Sequence, residues 1–481
     1  MCFSVIAGKH ATDCGHVFLA ANDDWPGCPG HVHHIPARDW EETDQFLTVK
    51  GKRIPQAPHT FGYTYSAAAY ETGTREVSWP DGVNDQKVAV SIQGVYAFAN
   101  YQKEGDLLEA DDLVILILER AQTAREAIAI TGELIARYGY TVSSIDGAEG
   151  TVAMAIADPN EGWFLELGPG GYWCAQRVAD DAVECRPNCF GNGDVDFEND
   201  EKFICSAGLY TLAVEKGLIQ DGETLNFAAA FGGNHSSLNP NYGGAMNPVN
   251  MMRRWTVVNR LGDIPTKPED LIYGCVPVKP LSFTDLIALM RDDLSDTPYC
   301  LENATEAGPN HNPFWMTVST SIAQSGTVIC MIADLSNNLP NELGCRIWFS
   351  YGNARISPFV PCYSGGNGLP LAYQIGECGS FDWNSAWWLF EDAAEVCYRN
   401  YAAIVPTEVI PAVETMEKRF CSTLSEVETE AKQIFEKSPD QARESLTACT
   451  ARLAEQAMDE TRQLVAHIRG KYLCNTVLDW V

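Results

Sequence analysis

The first 25 residues contain two short apolar runs separated by a polar turn. The runs are Phe3-Ser4-Val5-Ile6-Ala7 and Val17-Phe18-Leu19-Ala20-Ala21, with residues 9–15 between them. Short apolar runs bounded by turn residues are typical of buried strands, and a short link between two of them favours an antiparallel hairpin. Such a hairpin brings Cys2, at the start of the first strand, next to Asn22-Asp23-Asp24-Trp25, at the end of the second. The sequence therefore predicts a thiol beside a carboxylate cluster.

Cys2 directly follows the initiator Met1, so removal of Met1 would leave a thiol and a free α-amine on the same residue. The unperturbed pKa of a thiol is about 8.5 and that of an α-amine about 7.7–8.0, so the amine can serve as the general base of the thiol near neutral pH. A nearby aspartate would orient the ammonium form. The alternative is that Cys2 is an ordinary small residue that opens a buried strand, because cysteine is among the most buried residue types.

Several further motifs follow the N-terminal hairpin in a fixed order. They are Gly82-Val83-Asn84-Asp85, Thr123-Ala124-Arg125-Glu126-Ala127, Ile156-Ala157-Asp158 with Gly162-Trp163-Phe164-Leu165-Glu166, and Pro358-Phe359-Val360-Pro361-Cys362-Tyr363. Together with Met1-Cys2 and the Asn-Asp-Asp-Trp segment, they resemble the bacterial dipeptidase A family of N-terminal-nucleophile cysteine hydrolases. Penicillin V acylases and bile salt hydrolases are more distant relatives. The resemblance covers most of residues 2 to about 400 in one order, which makes it more specific than any single motif.

The residue pattern by itself predicts an α+β fold. Strand signals come first, two helices follow over residues 111–138 with Thr123 as a helix cap, and a strand hairpin then surrounds Asp158-Pro159-Asn160-Glu161-Gly162. The resemblance implies a more specific architecture, the four-layer αββα sandwich of N-terminal-nucleophile hydrolases.

The C-terminal end of the chain shows helical spacing of apolar residues over 409–434 and 446–468, with Ser438-Pro439-Asp440 as a stop and restart signal. We therefore predict a catalytic domain over residues 2–381 and a C-terminal extension over 382–481 that contains a helical hairpin. The apolar stripe of this hairpin either covers the main domain or binds another subunit. We favour packing on the main domain, and homo-oligomerisation stays open.

The resemblance also implies roles for residues around Cys2. Asp24 matches the carboxylate that orients the α-amine, and Asp23 is the alternative if the strand register slips by one residue. Asn22 belongs to the same retained Asn-x-Asp motif and is expected at the substrate or the oxyanion. Ala21 departs from the family, which commonly has arginine there, and this departure puts the usual substrate or full activity in question.

Three residues farther along the chain complete the implied site. Asn188 matches an asparagine whose amide N–H helps to hold the oxyanion, although an asparagine after Pro187 could simply satisfy a turn. Gly94 stands where related acylases have an asparagine, so only its backbone N–H could contribute. Arg254, with Arg253 as the fallback, matches an arginine that lies near the sulfur and favours the thiolate.

Residues 26–36 are rich in proline, glycine and histidine, including His31, His33 and His34. A metal site is one interpretation, but no Cys-x-x-Cys or His-Glu-x-x-His spacing supports it. We predict a solvated loop that forms one wall of the substrate cleft, and neither a metal nor a cofactor. A cysteine-rich metal-binding protein is the weakest alternative for the chain as a whole.

The net charge of −31 argues against a surface that binds nucleic acid or anionic lipid. No stretch approaches the roughly 18–20 apolar residues of a membrane helix, and no secretory signal is evident at the N-terminus. The 17 scattered cysteines do not form a disulfide framework and fit a reducing compartment. We therefore expect a soluble, cytoplasmic protein.

The sequence thus predicts a cysteine-type dipeptidase that cuts a dipeptide or another small amide through Cys2 and an acyl-enzyme intermediate. Two alternatives remain. One is an acylase that acts on a non-peptide amide, and the other is a scaffold or regulatory homologue that has lost turnover, as in the secernin relatives. The alanine at position 21 favours the second alternative.

Overall fold

Two large antiparallel sheets form the centre of the protein. The computed structural model describes residues 2–71, 73–95, 107–141, 151–232, 244–314 and 320–473. With strands numbered in chain order, the seven-stranded sheet has the spatial order β16 (Gly274–Cys275), β14 (Val183–Arg186), β1 (Phe3–Ala7), β2 (Val17–Asp24), β17 (Thr327–Leu335), β18 (Arg346–Tyr351) and β19 (Val360–Tyr363). The eight-stranded sheet has the order β15 (Phe203–Cys205), β13 (Trp173–Arg177), β12 (Gly162–Leu167), β11 (Thr151–Ala157), β10 (Ala89–Val95), β9 (Ser78–Asn84), β8 (Tyr63–Ala68) and β3 (Gly30–Ile35).

The described part of the chain also contains four short strands and ten α-helices. The short strands pair as β4 (Arg38–Asp39) with β7 (His59–Thr60) and β5 (Gln45–Leu47) with β6 (Arg53–Pro55). The helices are α1 (Ala110–Arg120), α2 (Ala124–Tyr138), α3 (Leu209–Glu215), α4 (Phe227–Phe231), α5 (Pro248–Leu261), α6 (Phe283–Met290), α7 (Ala386–Tyr398), α8 (Tyr401–Ile404), α9 (Ile410–Phe435) and α10 (Pro439–Ile468). Within the described residues, none of these helices is both long and apolar enough to cross a bilayer.

The N-terminal hairpin forms as the two apolar runs predict. Strands β1 and β2 pair antiparallel, with Phe3 opposite Asn22 and Ala7 opposite Phe18. Every residue of both strands is buried, because β2 also pairs with β17 and layers of structure cover both faces of the sheet. The hairpin is therefore an interior element, which explains why its strands are apolar runs without the alternation of a half-exposed strand.

The two large sheets contact each other through the strands that carry the N-terminus. Strands β1 and β2 contact β10 and β11 of the second sheet. Gly162 marks one close approach, since a Cβ atom at this position would lie 2.4 Å from Cγ2 of Ile6. Helices α1 and α2 pack on strands β9–β12 of the second sheet, whereas α5, α6, α7 and α10 pack on strands of the first. The predicted mixture of antiparallel sheets and helices, with helices at the C-terminal end, is confirmed.

The prediction of a loop over residues 26–36 is wrong. Residues Gly30–Ile35 form the edge strand β3, which pairs antiparallel with β8 so that His31 lies opposite Ala67 and His34 opposite Thr64. The ring of His34 is within hydrogen-bond distance of Thr64 Oγ1, at 3.1 Å. Histidine has no strong strand signature of its own, so the pairing with β8 decides the conformation of this segment.

The C-terminal helices α9 and α10 pack against each other and on the first sheet. Ser438 caps α10 by accepting a hydrogen bond from the backbone N–H of Gln441, as the stop and restart signal predicts. The buried side chains of Phe420, Leu446 and Leu453 belong to the same apolar core as the strands of the first sheet. The stripe thus covers the main body of the chain, whereas the division into domains at residue 381 stays a prediction.

A buried ion pair joins α9 to the end of α6. Glu417 is 5% exposed. It accepts hydrogen bonds from Nη1 and Nη2 of Arg291 at 2.9 and 2.6 Å and from the backbone N–H of Phe359 at 2.8 Å. Because burial removes both charges from water, each depends on the other for compensation.

Replacement of Glu417 by Ala should lower the free energy of unfolding by about 3–5 kcal/mol, because it leaves the Arg291 guanidinium buried without its counter-charge. The matched control is Glu414→Ala on the same helix, which removes only an exposed pair with Lys418 at 3.7 Å. That change should alter the free energy by no more than about 0.5 kcal/mol. Urea unfolding followed by circular dichroism measures both, and equal effects would contradict the role given to the buried pair.

Candidate functional site

Cys2 lies at the entrance to strand β1, directly opposite Asp23 of β2. The register that pairs Phe3 with Asn22 places Cys2 across from Asp23. The two side chains meet, with Cys2 Sγ donating to Asp23 Oδ1 at 3.8 Å. Ile6 lies on the same face of β1 as Cys2 and packs against Gly162 of β12. This face of β1 is therefore turned toward the second sheet. The thiol is thus between the sheets and only 8% of Cys2 is exposed.

Asp24 points to the opposite face of β2, as the alternation of a strand requires. Its Oδ1 accepts a hydrogen bond of 2.6 Å from the hydroxyl of Thr327. Its Oδ2 is 3.7 Å from Nη1 of Arg253, on helix α5. The two adjacent carboxylates therefore lie in different environments. Asp23 faces the thiol, and Asp24 faces the helices that cover the first sheet.

Arg253 connects the separate parts of this site. Its side chain is fully buried, at 0% exposure. Nη1 donates to the backbone carbonyl of Cys2 at 2.8 Å, and Nη2 donates to Asn188 Oδ1 at 2.9 Å and to Asn250 Oδ1 at 3.3 Å. Burial lowers the pKa of Arg253 and the charge of Asp24 opposes that change. One guanidinium thereby holds the start of β1 in place.

Asn188 extends the connection to the second sheet. While its Oδ1 accepts from Arg253, its Nδ2 donates to the backbone carbonyl of Gly94 at 2.8 Å. The backbone carbonyl of Asn188 accepts in turn from Nδ2 of Asn250, at 3.2 Å. The Asn188 amide has a second N–H, so it can donate to a further acceptor while it keeps the contact with Gly94.

Burial disfavours charge on the acidic groups of this site. It raises the pKa of Cys2 to about 12, and the charges of Asp23 and Asp24 add to that effect, whereas the backbone N–H of Asp24 favours the thiolate. It also raises the pKa of Asp23 to about 7; the positive charge of the N-terminus opposes this rise, and the nearby charge of Asp24 adds to it. The thiol is therefore protonated at neutral pH, and a reaction that uses it as a nucleophile needs a base to remove the proton.

The structure brings together four of the residues that the sequence singled out. Cys2, Asp24, Asn188 and Gly94 are connected through Arg253 and Asn188 in the manner described above. Asn22 is adjacent in sequence but lies on the face of β2 away from the thiol, where its Nδ2 donates to the carbonyl of Ile322 at 2.9 Å. Met1 lies outside the described residues.

Arg254, the preferred match for the arginine near the sulfur, makes its contacts elsewhere. Its guanidinium donates to the carbonyls of Ala245 and Asp270 at 2.7 and 3.0 Å and lies over the ring of Tyr273. Consecutive residues of an α-helix point about 100° apart, so only one of the two arginines can face Cys2. The geometry favours the fallback, Arg253.

Sequence reasoning missed two residues that support the site. Thr327 begins strand β17 and binds Asp24, but nothing near it in the sequence indicates a partner some 300 residues away. Asn250 lies three residues before Arg253 on the same helix. Positions three apart share a helix face, so this spacing could have identified Asn250 as a partner of Arg253.

Ala21 stands where the family resemblance implies an arginine. It lies on the same face of β2 as Asp23, between Ser4 of β1 and Met331 of β17, and is fully buried. Because alanine has no donor, the contacts that an arginine would make from this position are missing. This side of the site is therefore less positively charged than the resemblance implies.

The histidine-rich segment gives no indication of a metal site. His31 contacts the carbonyl of Gly376 at 2.9 Å, and burial lowers the pKa of His31, His33 and His34. Across the ranges that the structure describes, no group of three or more histidine, cysteine or acidic side chains is placed to hold a metal ion.

Comparison with known proteins assigns the family. The model of Peptidase family C69 matches residues 1–413. The chain belongs to this family of peptidases. It is therefore a hydrolase that acts on peptide bonds.

Relatives of this peptidase carry the name dipeptidase. It is 25% identical over 487 residues to a probable dipeptidase B from Lactococcus lactis, a match that covers 97% of this chain and 94% of the relative. It is 24% identical over 485 residues to dipeptidase A from Lactobacillus helveticus, with 97% and 96% covered. A probable dipeptidase from Latilactobacillus sakei is 24% identical over 420 residues, with 85% and 83% covered. The first two of these matches extend over nearly the whole length of each protein.

The two arginines of α5 allow a direct test of the site in the peptidase. Arg253→Lys keeps a positive charge but loses the planar fork that reaches Cys2 O and Asn188 Oδ1 together. Since each hydrogen bond to a charged group is worth about 1.5–3 kcal/mol, kcat/KM for a dipeptide should fall roughly 100-fold or more.

The control is Arg254→Lys, the same change at the next position of the helix. It should lower kcat/KM less than about tenfold per folded molecule, because Arg254 binds the carbonyls of Ala245 and Asp270 and not the Cys2 region. Circular dichroism checks that both variants are folded. An equal loss of activity in the two variants would contradict the role given to Arg253 in holding Cys2 and Asn188.

Asp23 should also make stability depend on pH. The pKa of its carboxyl is raised from 3.8 to about 7 in the folded protein, so the folded state holds a proton that the unfolded chain has released. The free energy of unfolding should therefore fall as pH rises toward 7, and Asp23→Asn should lack this component. Between pH 5 and 7 we expect the wild type to lose about 2 kcal/mol relative to the variant. Urea unfolding at several pH values measures this, and parallel curves would contradict it.

Proposed function

We propose that this peptidase is a cysteine-type dipeptidase of the N-terminal-nucleophile class. In this proposal the two sheets and their flanking helices form the αββα sandwich, residues 2–381 are the catalytic domain, and residues 382–481 are a helical extension. The observation that carries the proposal is the position of Cys2. Its sulfur lies beside Asp23, and Arg253 holds its backbone carbonyl. The relatives named dipeptidase support the choice of substrate.

The reaction begins with a mature chain from which Met1 has been removed. The α-amine of Cys2 then lies next to its own sulfur and within the influence of Asp24, which orients it. Because burial disfavours the thiolate, the sulfur needs a base to remove its proton. The amine takes the proton as the sulfur attacks, so that charge develops only during the reaction.

Attack forms a bond between Sγ and the carbonyl carbon of the substrate and places negative charge on the carbonyl oxygen. The second N–H of Asn188 Nδ2 is a donor for this oxygen, while the first stays on the Gly94 carbonyl. The C–N bond of the peptide then breaks, and the ammonium of Cys2 gives its proton to the leaving amine. Water hydrolyses the resulting thioester and restores the thiol.

Arg253 takes the role that the sequence gave first to Arg254. It is a positioning residue, because it contacts the Cys2 carbonyl, Asp24 and Asn188 and does not need to touch the substrate. By fixing these three groups it sets the geometry of nucleophile, base and oxyanion donor at once. Its positive charge also lowers the cost of transient negative charge nearby.

We also propose that the peptidase works in the cytoplasm. The cysteines in the described residues are free thiols, including Cys174 and Cys205, whose sulfur atoms are 3.3 Å apart. Such pairs persist as thiols in a reducing compartment.

Replacement of Cys2 by Ala should reduce hydrolysis of a dipeptide panel at least about 1,000-fold, because no other group forms the acyl-enzyme. Intact mass of the wild type should show that one methionine is missing. Cys14→Ala is the control, since Cys14 is an exposed thiol in the turn between β1 and β2, at the end of the hairpin opposite Cys2, and should leave turnover unchanged. Turnover that survives in the folded Cys2→Ala protein, or an uncleaved Met1, would refute the mechanism. Faster cleavage of acyl amides than of dipeptides would favour the acylase alternative.

A further inference from the structure

Only one of the two carboxylate oxygens of Asp23 accepts a hydrogen bond from the described residues. Its Oδ1 accepts from the Cys2 thiol at 3.8 Å. Its Oδ2 is buried and has no hydrogen-bond partner among the described residues. Asp24 differs, because it is occupied by Thr327 and Arg253 on the other face of the strand. Asp23, the acid next to the sulfur, therefore keeps one carboxylate oxygen that can accept a further hydrogen bond.

Two further buried side-chain oxygens in the layer between the sheets also lack a hydrogen-bond partner among the described residues. Ser4 Oγ lies on the Cys2 face of β1, two residues along. Gln93 is on the face of β10 turned toward the first sheet, since its neighbour Ile92 packs in the core beneath α1 and α2. Both side chains are 0% exposed. Within the described part of the chain, neither Ser4 Oγ nor Gln93 Oε1 has a partner.

The orientation of the Gln93 amide is fixed by its other end. Nε2 donates to the hydroxyl of Ser91 at 2.8 Å, so Oε1 is the atom left for another donor. A buried acceptor without a donor costs about 1–3 kcal/mol. The three oxygens lie in the layer between the sheets and one belongs to a carboxyl group, so a ligand that supplies several N–H donors would satisfy them.

The surrounding charges favour a cation as that ligand. Asp81 lies close enough to Asp23 for the charge of Asp23 to add to burial in raising the Asp81 pKa. Arg186 faces Ser4 across the pair of β1 and β14, but its guanidinium donates to Glu166 at 2.9 Å. Ala21, on the same face of β2 as Asp23, contributes no charge.

The covalent geometry of a dipeptide keeps its α-nitrogen within reach of this region. Standard bond lengths put that nitrogen about 2.5 Å from the carbonyl carbon that the sulfur attacks. With the sulfur about 3–3.5 Å from that carbon, the nitrogen lies within roughly 6 Å of Sγ. Asp23 Oδ1 is 3.8 Å from Sγ, so an ammonium group can contact Asp23 while the carbonyl carbon contacts the sulfur.

We propose that Asp23, together with Gln93 Oε1 and Ser4 Oγ, binds the free α-ammonium group of the substrate. This inference rests on the proposed function and names its specificity: the enzyme cleaves peptides with an unblocked N-terminus and discriminates against amides that lack the amine. The two neighbouring aspartates then have separate tasks. Asp24 orients the α-amine of Cys2, and Asp23 binds the α-ammonium group of the substrate.

The first test compares alanylalanine with propionylalanine, which has the same skeleton with hydrogen in place of the ammonium group. The wild type should prefer alanylalanine at least about 100-fold in kcat/KM, because a site built for a polar group rejects the analogue that lacks it. Asp23→Asn should reduce this preference at least about tenfold, by losing activity on alanylalanine alone. Asp24→Asn should lower activity on both substrates by the same factor and leave the preference unchanged.

The outcomes separate the two proposals. Hydrolysis of alanylalanine by the wild type with a preference that Asp23→Asn leaves unchanged overturns the ammonium site and leaves the proposed function intact. Absence of hydrolysis by the folded wild type overturns the proposed function.

The second test measures binding, so that it works even if Asp23→Asn is inactive. In the Cys2→Ala background, calorimetry should show alanylalanine binding at least tenfold more tightly than propionylalanine. Adding Asp23→Asn should abolish the difference, and Gln93→Met should reduce it. Equal affinities of the two compounds for the folded Cys2→Ala protein would overturn the site.

Discussion

The arrangement around Cys2 depends on one buried cation. Arg253 has no access to water, so its charge must be met by protein groups, and those groups come from four different parts of the chain. They are the Cys2 carbonyl at the start of β1, Asp24 at the end of β2, Asn188 after β14 and Asn250 on α5 itself. Because the charge of Arg253 has to be compensated inside the protein, the compensating contact also restrains the position of Cys2.

The twofold periodicity of a strand separates two adjacent carboxylates. Asp23 and Asp24 are consecutive, yet one is turned toward the second sheet and the other toward α5. Their environments differ accordingly: one carboxyl group contacts a thiol and the other a guanidinium and a hydroxyl. A single strand end can therefore provide two acids with different partners and different chemistry.

Much of the fold follows from local signals, whereas the site depends on distant contacts. The hairpin, the cap at Thr123 and the restart at Ser438 were predictable, because each is encoded within a few residues. Strand β3 was not, since its conformation comes from pairing with β8. The choice between Arg253 and Arg254 was not predictable either, because it depends on the rotation of α5 about its axis. The roles of Asp23 and Thr327 needed the register of strands and partners up to 300 residues away.

The contact between Arg253 and the Cys2 carbonyl has a consequence for the order of events during biosynthesis. The two residues are 251 positions apart, so this contact cannot form until the ribosome has made α5. At about 5–20 residues per second this takes roughly 10–50 seconds. An aminopeptidase that trims the first methionine needs an extended, reachable chain end, and the docking of α5 closes that interval. For the removal of Met1 that we propose, late synthesis of α5 leaves an interval in which this helix does not yet hold the chain end.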